Sequence, residues 1–168
     1  MESRFSDQKE LQVFDKTTDK LNDILKKTKP DQIDSYLATW KDDLVTEGKP
    51  FADYMRQVLK KKGLRQQEVF LSADIPEGYG YKLIAEEKHT RRRDIILRLC
   101  IAGHFSVAET ERALLLNGMS PLYAKVPRDA VLIVAINQGI HETHAVDQLL
   151  TGHGMDPLAV CGGAGDEE

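Results

Sequence analysis

His141, Glu142, Thr143 and His144 put two imidazoles and a carboxylate within four residues, with Asp147 and His153 close behind. Imidazole and carboxylate are zinc ligands, and a zinc-binding helix pairs its histidines four residues apart around a glutamate base. These two histidines lie three apart with no third ligand in view, so solvated or capping roles are expected and no metal. Cys100 and Cys161 give neither a ligand spacing nor a disulfide framework. Cys100 falls in the apolar run IILRLCIAG and Cys161 in a glycine-rich tail, and both are expected as reduced thiols in a cytoplasm. No Ser-His-Asp pattern, phosphate-cradling glycine loop or pair of carboxylates stands out. The expectation is a protein that is not an enzyme and needs no cofactor.

Cationic chemistry is more concentrated. Lys60, Lys61, Lys62, Arg65 and Lys82 form one group, and Lys88, His89, Arg91, Arg92 and Arg93 form another. The whole chain of 168 residues has a formal net charge of −4, which argues against indiscriminate coating of nucleic acid. From Asp53 to Arg98, however, 11 Lys/Arg face 7 Asp/Glu, a local excess of 4 positive charges. A basic middle in an acidic chain suits a focused anion-binding surface. The competing explanation is a solvated face, with KKKG complementing the dipole at a helix C-terminus.

The elements that must position these groups read as helices. Apolar residues recur at three and four positions in Leu21/Ile24/Leu25, in Ile33/Tyr36/Leu37/Trp40/Leu44 and in Phe51/Tyr54/Met55/Val58/Leu59. Pro30 and Pro50 stand near helix starts, and Gly63 ends the third segment. No stretch alternates with period two, so strands are not expected. Tyr36 and Trp40 share one stripe of the acidic N-terminal arm, as core cover or as a dimer contact. No run of about 18 apolar residues suggests a membrane span. The opening MESRFSDQKE does not read as a secretory signal, and the first 15 and last eight residues look loosely held.

A repeat occupies the second half. GHFSVAETERALLLNGMSPL (103–122) aligns without gaps on GIHETHAVDQLLTGHGMDPL (139–158), an offset of 36 residues. The preceding segments RRDIILRLCIAG and RDAVLIVAINQG correspond at the same offset. Each unit reads as a helical hairpin closed by a glycine cap, Gly118 or Gly154, with a proline beyond it. Two stacked copies would enlarge a small core.

Between them and the arm lies LRQQEVFLSADIPEGYGYKLI (64–84), two short helical patterns broken at Asp74-Ile75-Pro76. The run from Phe51 to about Leu116 resembles the Cro/C1-type (XRE-like) helix-turn-helix family, in a bacterial regulator group with a Tyr-Gly-Tyr recognition helix. FADYMRQVLKKKGL matches the lead helix, QQEVFLSADIP the scaffold helix, EGYGYKLIAEEKH the recognition helix and RRRDIILRLCIAGHFSVAETERALLL the closing helices. The chain departs from the family pattern at several positions. Phe70 stands where a small residue is usual, Asp74 and Glu86 replace glycines, Gly80 replaces a β-branched residue, and Glu77 and Gly78 replace Arg, Ser or Thr.

The resemblance implies an all-α fold with an XRE-like (lambda-repressor-like) core at 51–122. An N-terminal helical arm (1–50), a second hairpin copy (123–160) and a flexible tail (161–168) would complete it. It also implies a cytoplasmic transcription regulator that reads a pseudo-palindrome in double-stranded DNA, with a homodimer expected. Glu77, Gly78, Tyr79 and Lys82 would meet base edges, while Gln66, Gln67, Lys88, Arg91, Arg92 and Arg93 would hold phosphates. Glu77 and the acidic balance leave an alternative open, a degenerate helix-turn-helix serving as a protein-protein interaction module.

Overall fold

The computed structural model describes residues 18–44 and 48–161. Among them it contains nine α-helices, two 3-10 turns and no strand. None of these helices is long and apolar enough to cross a membrane. Most of the loosely held ends expected from the sequence lie outside the described residues. Backbone contacts divide the chain into two units, 1–46 and 47–168.

In the first unit α1 (Thr18–Lys27) and α2 (Ile33–Thr39) are joined by a 3-10 turn, Pro30–Gln32, and a second turn follows at Lys41–Asp43. Pro30 opens its turn where no backbone donor is needed, and the Gln32 Oε1 accepts the Lys29 N–H at 3.0 Å. Tyr36 and Trp40 are half-buried, whereas Leu25, Ile33 and Leu37 remain exposed.

The second unit runs through α3 (Pro50–Lys61), α4 (Gln66–Ser72), α5 (Glu77–Ile84), α6 (Arg93–Ala102), α7 (Val107–Leu116), α8 (Pro127–Asn137) and α9 (Thr143–Gly152). One device ends most of these helices. A residue in the left-handed region follows the helix, and the next residue donates to the carbonyl five positions back, which satisfies orphan helix carbonyls. Gly63, Asp74, His104, Gly118, Gly139 and Gly154 hold that conformation. The matching bonds run from Leu64, Ile75, Phe105, Met119, Ile140 and Met155. Each of those donors is apolar, and all join the core. The sequence therefore repeats a terminator of a left-handed residue followed by an apolar one, which forces short, sharply folded connections. α7 adds a capping box, in which Ser106 and Glu109 exchange bonds of 2.9 and 3.1 Å.

The hairpins α6–α7 and α8–α9 pack reciprocally, α6 on α9 and α7 on α8, as a pseudo-twofold arrangement requires. The gap-free alignment needs one correction. The second helices and their caps do correspond at an offset of 36, but the first helices correspond at 35. His104 and Gly139 share the left-handed position, and Phe105 and Ile140 make the same turn bond. The second unit's turn thus holds one extra residue before α9.

At the offset of 35 the dipeptide Arg-Asp recurs, Arg93-Asp94 matching Arg128-Asp129. The four side chains form a reciprocal clasp. Arg93 grips Asp129 through two bonds of 2.7 and 2.9 Å, and Arg128 grips Asp94 at 2.8 and 3.0 Å. Arg93 also donates to the carbonyls of Ser120 and Pro121, as Arg128 does to those of Asp156 and Pro157. Asp129 takes the Tyr123 N–H and Asp94 the Ala159 N–H. Two bidentate pairs with every carboxylate also bonded to backbone are strong, oriented interactions.

Burial alone would raise both carboxyls, but the arginine and backbone bonds outweigh it and hold Asp94 and Asp129 below the usual carboxylate range. Groups whose folded pKa is depressed give stability that is present above their unfolded value and lost as pH falls through the folded one. Urea unfolding should therefore show stability falling as pH drops below about 4. Asp94→Asn and Asp129→Asn should each cost on the order of 2 kcal/mol at pH 7 and flatten that acid limb. An unchanged acid limb in both variants would contradict the clasp.

Candidate functional site

α4 and α5 form a short hairpin whose buried side is set by Val69, Phe70, Ala73, Ile75, Gly80, Leu83 and Ile84. α4 packs on α6, and α5 on α3. Asp74, with φ of 59°, makes the turn where a glycine would be unstrained, and Pro76 precedes α5 with a fixed extended-side φ of −53°. The two departures at Phe70 and Gly80 compensate one another. A Cβ on Gly80 would stand 2.5 Å from the Phe70 ring, so the bare helix backbone makes room for the larger side chain.

Glu86, with φ of 54°, has a further role. Its Oε2 accepts the N–H of Ala52 in the first turn of α3 at 3.2 Å, while the Lys49 ammonium donates to the Ala85 carbonyl at 3.0 Å. A carboxylate at the positive end of one helix and an ammonium at the negative end of another are favourable. Together they fix the end of α5 against the start of α3.

This framework leaves the opening turn of α5 exposed. Glu77 and Gly78 are exposed in it, Lys82 is exposed in the last turn, and Glu77 is reached by Gln67 across the hairpin at 3.5 Å. Gly78 differs from Gly80, since a Cβ there would meet nothing within 4 Å. The fold does not ask for glycine at that position. Tyr79 behaves differently from Lys82. It precedes buried Leu83 by one turn and is half-buried against the core, with the Lys88 ammonium 6.0 Å from its ring centroid. Gln66 is half-buried and Gln67 exposed, both in the first turn of α4.

The cations separate into two kinds. Lys88 and Arg91 are exposed, in the loop that follows α5. Arg92 is half-buried and reaches the Val160 carbonyl at 3.4 Å. Arg93 belongs to the clasp, with its guanidinium turned to Asp129 and two carbonyls, and is thereby separated from the phosphate-holding set that the sequence suggested. Lys62 is ion-paired with Glu109 at 2.9 Å. That pair, with bonds to Ser106, outweighs burial and holds Glu109 below the usual carboxylate range.

Sequence reasoning missed Arg98. It is 2% exposed and donates to the carbonyls of Ala73, Leu158 and Ala159 at 3.2, 2.8 and 2.7 Å, with an Asp147 oxygen 3.5 Å away. It thus joins the end of α4 to the extended segment after α9. The available signal was an arginine in the middle of IILRLCIA, a helix otherwise apolar on every side.

The histidines have separate neighbours. His144 contacts Gln148 at 3.3 Å, and His153 lies 2.8 Å from the Leu149 carbonyl. His141 stacks on His104 with ring centroids 3.8 Å apart. Burial, then His141 and Lys62, lower the His104 pKa. Among the described residues no group of three His, Cys, Asp or Glu side chains is placed to hold an ion. Asp147, inside α9, accepts the Leu158 N–H at 2.7 Å, which ties that helix to the segment that follows it rather than capping a helix. Cys100 is fully buried, which pushes its thiol far above the usual range. No family model, curated protein or solved structure matches the chain.

Proposed function

We propose that the chain is a helix-turn-helix protein that binds double-stranded DNA, with α5 as the recognition helix and α4 as its scaffold, and that it acts as a transcription regulator. The observation that carries this reading is the opening turn of α5. Glu77 and Gly78 are exposed there without a core role, with Lys82 exposed in the last turn of the same helix, on a hairpin anchored from behind by α3 and α6. A helix held in this way can enter a major groove with its N-terminal side chains toward base edges. Gln66 and Gln67 stand beside it for the backbone, and Lys88 and Arg91 follow it, with Arg92 behind them. Tyr79 supports α5 and is half-buried against the core, rather than a fully exposed side chain. Five consecutive helices, α3 to α7, occupy the stretch in which the sequence resembles the XRE-like core, which supports the reading.

A second reading, an interaction module for another protein, has its own supporting observation. From Leu64 to Glu87 there are 5 acidic residues against 2 basic ones. A surface of that balance has less attraction for phosphate than a DNA-reading face commonly shows.

Fluorescence anisotropy with random duplex and with duplex from the chain's own promoter, at two fixed salt concentrations, distinguishes the two. The DNA reading expects a preference for one duplex. Lys82→Ala should then lose specific affinity by about 1–3 kcal/mol, and Lys88→Ala or Arg91→Ala should weaken both duplexes and flatten the salt slope by about one unit each. No preference at micromolar protein would remove the regulator reading.

A further inference from the structure

The pseudo-twofold pairing of the hairpins sets up a comparison between α6 and α8. Ile95, Ile96, Arg98 and Leu99 of α6 are all buried, and α4 packs on this helix. At the offset of 35 their counterparts on α8 are Ala130, Val131, Ile133 and Val134. The first three are half-buried, and Val134 is 55% exposed. Within the second unit α8 packs chiefly on α7 and α9, and no helix of that unit packs on it as closely as α4 does on α6. Yet from Ala130 to Ile136 its sequence is AVLIVAI, without a polar residue. A helix apolar on every side belongs to a buried environment.

We infer that a second copy of this chain covers this face, with α8 packed antiparallel against α8 of the partner around Val134. Charge supports both the occupant and the direction. No charge lies between Ala130 and Asn137, so nothing in the stripe repels an identical stripe. Exposed Lys125 precedes the helix and exposed Glu142 follows it, nine residues before Val134 and eight after it. Antiparallel packing brings each Lys125 toward the partner's Glu142 and toward the negative end of the partner helix. Parallel packing would set like charges together. The contact is isologous and closes on itself as a dimer. It uses neither α5 nor the loop after it, so it stands apart from the DNA reading.

Sedimentation equilibrium of the full chain at tens of micromolar should give twice the monomer mass. Val134→Glu should give the monomer mass with an unchanged helical circular dichroism spectrum, and Val134→Ser serves if the glutamate variant fails to fold. Lys125→Glu and Glu142→Lys should each weaken the dimer at least tenfold, and the double reversal should restore it. In a Cys161→Ser background, Val134→Cys should form a disulfide-linked dimer under mild oxidation, because residues at a dyad meet their own copies. A wild-type chain that is monomeric at these concentrations would overturn the inference. So would a dimer indifferent to Val134, or one that the paired charge reversal fails to restore. Loss of DNA binding with an intact dimer would count against the regulator reading alone.

Discussion

Arg98→Met should cost on the order of 3–5 kcal/mol, the range seen when a buried charged partner is removed and its companions stay behind. The cost follows from what the guanidinium serves. Ala73, Leu158 and Ala159 each present a carbonyl to it, and a methionine supplies no donor to any of them. A buried acceptor left without a partner costs roughly 1–3 kcal/mol. Native domains have only about 5–15 kcal/mol in total, so the variant should melt well below the parent chain. Lysine keeps the charge but lacks the planar fork that reaches several carbonyls at once, so Arg98→Lys should recover only part of the loss. Urea denaturation of the two variants beside the parent tests this. A loss under about 1 kcal/mol for Arg98→Met, below the lower end of the penalty for a single orphaned acceptor, would mean that water replaces the guanidinium.

The location of Arg98 gives that result a second use. Its acceptors lie at the end of α4, directly before the turn into α5, and on the extended segment that follows α9. The opening turn of α5 is therefore oriented from the far hairpin as well as from α3. Arg98→Lys should loosen the α4–α5 connection before the remaining core, visible as faster amide hydrogen exchange at Ile75 than at Leu97.

What the sequence disclosed depended on how local the controlling interaction was. Helical periodicity is a property of neighbouring residues, and it placed α3, α4 and α5 near their observed positions. Asp74 stands where a glycine is usual, and its φ of 59° is the left-handed conformation that an aspartate tolerates. The glycine caps at Gly118 and Gly154 follow from the same local chemistry, and both have φ near 70°. The clasp was hidden because a gap-free repeat paired Arg93 with Asp129 as equivalents, whereas they are partners across the pseudo-twofold axis. One added residue in the second turn moves the Arg-Asp dipeptide out of register. Arg93 then looked like one more member of a basic run. Its function depends on residues 27 to 36 positions away, which composition does not reveal. Tyr79 was similarly ambiguous. Its three-residue spacing from Lys82 allowed one shared face, but the four-residue spacing to Leu83 turned its ring toward the core.

Gly80 and Phe70 should show strong coupling in a double-mutant cycle, and this tests whether the two departures from the family pattern are one feature. Gly80→Val places a branched side chain where even a Cβ would lie 2.5 Å from the Phe70 ring. Phe70 is fully buried and meets Tyr81 edge-on at a centroid distance of 4.9 Å, so it has little room to retreat. Overpacking of this kind typically costs about 1–3 kcal/mol. Phe70→Ala alone should cost about 3–5 kcal/mol, because it removes a buried ring and leaves a cavity. In the double variant the valine enters the space that the ring vacated. The combined loss should therefore be smaller than the sum of the two single losses by about 1–3 kcal/mol, the coupling expected of residues in contact. Additive losses would mean that the helix backbone shifts to absorb the valine, and that the approach of α4 to α5 does not depend on glycine. A coupled result would show instead that the position of α5, and with it the exposed turn at Glu77 and Gly78, is set by the matched sizes of these two side chains.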